Sequence, residues 1–135
     1  MKKLWILLSS FFIIAFFSFF YYDTSDFSGE WEFENDKTVF SMTLTQNGTL
    51  VSGNHCSSQF EGSKLDCAID ETDLTTITGT VTEADSVNVT FKSVFCGLTG
   101  QATIKRISST QIKWTITQEP QGEFFIPMNV ILTKQ

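Results

Sequence analysis

The sequence predicts an all-β fold, an antiparallel eight-stranded meander closing into a small barrel, preceded by one N-terminal hydrophobic helix. Three observations carry this. After residue 23, apolar and polar side chains alternate almost throughout, which is the strand period. Short polar or Gly-containing turns separate the alternating runs. No stretch beyond residue 23 has a helical period. Strands of this kind bury one face and wet the other, and closing eight of them into a ring removes the exposed edges. An open two-sheet sandwich is the alternative.

The chain opens with Lys2 and Lys3, then Leu4 to Tyr22, nineteen residues without charge, Pro or Gly. A basic start before an apolar run marks an export segment. Its length suits a bilayer-spanning helix, and Phe and Tyr occupy the positions where a cleavage site needs small residues. Residues 1–22 therefore read as a signal peptide or an uncleaved membrane anchor, and residues 23–135 as an exported domain. That domain would be periplasmic on an inner-membrane anchor, or secreted after cleavage. As an anchor, the segment would keep Lys2 and Lys3 in the cytoplasm.

Trp31 and Phe33 alternate with Glu30, Glu32 and Glu34 in the first expected strand. Phe40, Met42 and Leu44 form the apolar face of the second, and Gln46-Asn47-Gly48 turns the chain because Asn and Gly tolerate positive φ. The return strand runs from Thr49 to Cys56. Leu65, Cys67 and Ile69 would share one face of the next strand, then Ile77, Gly79 and Val81 of the following one. After a turn at 83–86, Val87, Val89 and Phe91 resume the apolar face. Gly97 to Gly100 mark a loop. Ala102 and Ile104 lead to a Ser108-Ser109-Thr110 turn, and Ile112, Trp114 and Ile116 follow. Phe124 to Thr133 close the chain as the last strand.

Gly29-Glu30-Trp31 opening the first strand of such a meander resembles the calycin group, which includes lipocalins, fatty-acid-binding proteins and avidins. The hairpin from Phe40 to Gly53, FSMTLTQNGTLVSG, is similar to the first hairpin of small exported bacterial barrels. The resemblance implies an eight-stranded barrel and, for a carrier, an internal ligand site. Avidin-like biotin binding is not implied, because the first loop, Glu34-Asn35-Asp36-Lys37, does not offer the matching polar set.

Without Lys2 and Lys3, the nine cations of the chain fall to seven against fifteen acids, a net charge of −8. Such a surface repels phosphate backbones, which excludes nucleic acid as a partner. Cys56 and Cys67 flank ten residues centred on Glu61-Gly62-Ser63, a turn that would bring them face to face as a disulfide. Cys96 is left over, either as a free, partly buried thiol or as a pairing site. Three Cys and one His lack the spacing of a zinc site, so no metal or cofactor is expected.

His55 lies on the strand face opposite Cys56 and reads as a surface residue. No nucleophile pattern accompanies it, and no catalytic set is expected. Glu30, Glu32 and Glu34 share a face that is either solvated or an acidic patch for a basic partner. Asp70, Glu71 and Asp73 read as a polar turn, lacking the Gly and final Glu of a calcium loop. Trp31, Phe33, Phe40, Phe91, Trp114 and Phe124 are expected inside. There they either fill the core or line a pocket for a small apolar ligand. Two functions follow as expectations: an inhibitor-like or immunity-like protein-binding module of the bacterial envelope, or a carrier of a small hydrophobic ligand.

Overall fold

The computed structural model describes residues 26–68 and 74–135. The segment 1–22, Ile69, and the acidic residues Asp70, Glu71 and Asp73 lie outside the described residues. Nine strands form in chain order: β1 (Gly29–Glu34), β2 (Thr38–Asn47), β3 (Leu50–Gln59), β4 (Lys64–Cys67), β5 (Ile77–Glu83), β6 (Ser86–Lys92), β7 (Thr99–Arg106), β8 (Gln111–Gln118) and β9 (Asn129–Lys134). All pairings are antiparallel. Eight strands make a closed ring, with β9 returning to β1 through Trp31↔Lys134 and Glu32↔Thr133.

The ninth strand, β4, stands outside the ring and departs from the expected simple meander. β3 is long enough to serve two partners on one edge. Its first half, Leu50–Gly53, pairs with β5, and its second half, Cys56–Gln59, pairs with β4. Gly53 sits at the handover, where any Cβ would run into the carbonyl oxygen of Thr43 on β2. Only Gly lets the two backbones approach so closely there.

The alternation read from the sequence produces the core. Trp31, Phe40, Met42, Val89, Phe91, Ile104 and Trp114 are buried, and Phe33 and Phe124 pack half-buried against them. Trp114 stands edge-on between Phe40 and Phe91, with ring centroids 5.5 and 5.3 Å away. Such tilted pairs add roughly 0.5–1.5 kcal/mol each beyond the area they bury.

Two expectations are corrected. The strand expected to carry Leu65 and Cys67 inward is β4, and it faces the other way: Leu65 is exposed and Asp66 is buried. Cys56 and Cys67 form the disulfide as a cross-strand pair. That pair lies away from the core, so the side chain between Leu65 and Cys67 must point inward. The final strand also starts late. Phe124 to Pro127 crosses the barrel mouth before Met128 O accepts the Ile116 N–H of β8 at 2.8 Å, and Pro127 has no N–H with which to extend the ladder further.

The barrel has two unlike ends. At one, called here the turn end, lie the short β2–β3, β5–β6 and β7–β8 turns and both ends of the described chain. At the other, the loop end, lie the tip of the β3–β4 hairpin, the 93–98 loop and the 119–128 segment.

Candidate functional site

The most unusual chemistry lies under the loop end, where a carboxylate is fully buried. Inward-facing Asp66 on β4 and inward-facing His55 on β3 are 0% and 2% exposed. His55 is therefore not the surface residue expected from the sequence. Its neighbour Cys56 does face the other way, toward Cys67. The disulfide register sets Ser57 opposite Asp66, which puts His55, Ser57 and Asp66 on one inner face.

Asp66 is the hub. His55 Nε2 donates to Oδ1 at 2.9 Å, and the Val94 N–H donates to the same oxygen at 2.8 Å. The Ser93 hydroxyl donates to Oδ2 at 2.5 Å, and the Phe125 N–H reaches it at 3.3 Å. In the neutral imidazole, Nδ1 then accepts from the Thr76 hydroxyl, 2.7 Å away, while Thr76 Oγ1 accepts the His55 backbone N–H at 3.0 Å. The Ser57 hydroxyl donates to the Phe125 carbonyl at 2.5 Å. One carboxylate thus ties β3, β4, the 93–98 loop and the 119–128 segment together, across separations of up to 59 residues.

Burial alone would raise the carboxyl pKa of Asp66. The hydrogen bonds from His55, Ser93 and Val94, with the attraction of His55, outweigh it and hold the pKa below the ordinary Asp value. Asp66 is therefore a charge kept by its donors.

The order hydroxyl, imidazole, carboxylate resembles that of a hydrolase triad. Here Thr76, His55 and Asp66 are all buried, and the Thr76 oxygen is already engaged by a backbone N–H. The arrangement can brace a surface, but it presents no hydroxyl to a substrate. Among the described residues, no cluster of three or more His, Cys, Asp or Glu side chains could hold a metal ion.

Above this brace the loop end is apolar. Phe60, Leu65 and Phe95 are 59%, 45% and 50% exposed, and Val94 and Leu98 are exposed beside them in sequence. Phe95 stacks edge-on against Phe125 at 4.7 Å, and the Lys64 ammonium lies over the Phe125 ring. Cys96 is free and half-buried in the same loop.

The other residues singled out from the sequence lie elsewhere. Glu30 and Glu34 are exposed and Glu32 is half-buried, all on the outer face of β1. Trp31, Phe40, Phe91 and Trp114 pack in the mid-barrel. The glutamates are not brought together with the Asp66 hub, whereas Phe40 of the aromatic set lies against the His55 ring, with centroids 6.4 Å apart. Known protein families, curated proteins and solved structures return no match to this chain.

Proposed function

We propose that the domain is a non-catalytic binding module that recognises a protein partner in the bacterial envelope. The supporting observation is where the aromatic side chains go. Phe40, Trp114 and Phe91 pack on one another across the mid-barrel, while Phe60 and Phe95 stand in solvent on the loop end. The calycin-like carrier reading, implied by the eight-stranded ring, calls for the reverse: aromatics lining an internal space. Exposed apolar groups beside polar ones mark interaction surfaces.

The leader supports export, either on an inner-membrane anchor with the domain in the periplasm or as a secreted protein. Phe27 and Ser28 bond to Gln46 at the turn end. Four residues, 23–26, separate them from the apolar run and reach at most roughly 14 Å. A retained anchor would therefore hold the turn end near the membrane and leave the loop end facing away. The acidic balance favours a basic partner, with an attraction that fades in salt.

Native mass spectrometry of the full chain, purified from its own host, tests this. The expected result is an empty barrel and a basic protein partner that dissociates as salt rises. A stoichiometric small apolar molecule retained in the barrel would instead establish the carrier.

A further inference from the structure

Resting on the protein-binding reading, we propose that the loop end is the recognition face. Its partner there is a cationic protein that offers an apolar pocket ringed by Lys or Arg. Three features of the face support this.

The first is aromatic and aliphatic anchors held out in water. Phe60 is raised on the β3–β4 hairpin by a left-handed backbone, φ +54°, a conformation that a bulky side chain adopts at a cost. Phe95 remains half-exposed although its ring already stacks on Phe125. Large aromatics of this kind dominate the energetics of interface centres.

The second is rigidity. Leu65 flanks the hub residue Asp66, and Phe95 follows Val94, whose N–H is fixed by the same carboxylate. The loop is closed again at its base, where the Ser93 N–H donates to Leu98 O and the Gly97 N–H donates to Ser93 O, both at 2.9 Å. Anchors fixed before contact lose less entropy on binding.

The third is charge. Glu61 adjoins Phe60, and the exposed Glu119 and Glu123 border the segment on which Leu98 and Phe95 rest. Among the described residues, the cations at this end are Lys37 in the β1–β2 turn, Lys92 before the 93–98 loop, and Lys64, whose ammonium is directed onto the Phe125 ring. The exposed Glu34, Asp36, Glu61, Glu119 and Glu123 outnumber them. A second copy of the chain would bring carboxylates against carboxylates, so the fitting partner carries the opposite charge.

The test is a photo-crosslinking scan of the full chain in its native host. A photoreactive phenylalanine analogue is placed singly at Phe60, Phe95, Glu32, Ile107 and Ile131. The last two positions are exposed apolar controls, one at the turn end and one on β9. The expected result is a discrete adduct with one basic protein from positions 60 and 95, and none from 107 or 131. Adding Leu65→Ser should cut the yield about tenfold, as removal of an interface anchor does, with the thermal midpoint unchanged because Leu65 is exposed. Adducts of twice the chain mass, adducts with an acidic protein, or equal adducts at the control positions would overturn the proposal. Adducts from position 32 alone would overturn the loop-end face and leave the protein-binding reading standing. A small molecule bound in the barrel, with no protein adduct anywhere, would overturn both.

Discussion

At the turn end the barrel is stopped by an apolar ring, and at the loop end by a buried charge. Phe27 is fully buried under the turn end. The Trp31 indole N–H donates to its carbonyl at 2.9 Å, and the Arg106 guanidinium lies over its ring and donates to the carbonyl of Asp26. At the opposite mouth the Trp114 indole N–H donates to Pro127 O, also at 2.9 Å, which holds the 119–128 segment over the core. The two Trp residues play matching parts. What differs is the rest of the closure: packing around Phe27, and a carboxylate with four donors around Asp66. An apolar plug tolerates acid and has no need of exact donor geometry. A buried carboxylate fixes several chain segments at once but holds only while it is ionised and every donor is in place. The end that must hold irregular loops in one shape uses the ionic device.

The largest expected effect comes from removing that device. Asp66→Ala leaves His55, Ser93 and two backbone N–H groups buried without their acceptor, and should cost about 3–5 kcal/mol. Thermal unfolding should show a midpoint lower by roughly 10–20 °C. A loss under about 1 kcal/mol would mean the four donors find other partners. At the turn end, Phe27→Ala should cost about 3 kcal/mol through the cavity it leaves. Amide exchange should tell the two apart: Val94 loses protection in Asp66→Ala, whereas in Phe27→Ala the turn-end strands exchange faster and Val94 stays protected.

The disulfide comes next. Replacing both Cys56 and Cys67 by Ser should cost about 2–3 kcal/mol, since the closed loop is short. The effect should concentrate at the loop end, because the cross-strand pair sets the register that turns Asp66 inward. Urea titration measures the cost. Val94 exchange locates it, and protection of Val94 unchanged by the double substitution would separate the disulfide from the hub. The smallest effect is expected from Lys64→Ala, which removes the cation over Phe125 and should cost about 0.5–1 kcal/mol.

The same contrast shows what could be read without coordinates. The strands of the ring were legible because alternation such as Phe40, Met42, Leu44 against Ser41, Thr43, Thr45 has one physical meaning. The turn end was legible in its Asn47-Gly48 signal, where Gly48 takes φ +64°. Phe27 escaped notice because it precedes the first strand and belongs to no pattern. The hub was misread for a more instructive reason. Grouping Leu65 with Cys67 treated a half-cystine as a core hydrophobe. Once Cys67 is paired with Cys56 across a hairpin, parity alone puts His55, Ser57 and Asp66 on the inner face, so the signal was present and was overruled by hydropathy. Thr76, Ser93 and Phe125 had no such signal. Ser93 and Phe125 reach Asp66 from 27 and 59 residues away, and Thr76 reaches His55 from 21, through loop geometry that local sequence does not encode.

Urea unfolding followed from about pH 7 down to about pH 2, in parallel for the wild-type chain, Asp66→Asn and Phe27→Ala, bears most directly on the claim that an ionised Asp66 holds the loop end. The folded pKa of Asp66 lies below its unfolded value of about 3.9. Its contribution is therefore complete above that unfolded value and disappears as pH falls toward the folded one. The wild type and Phe27→Ala should lose stability in parallel through this acid window, while Asp66→Asn, already weakened, should show a distinctly shallower slope. If all three profiles fall with the same slope, the charge at Asp66 does not hold the loop end together.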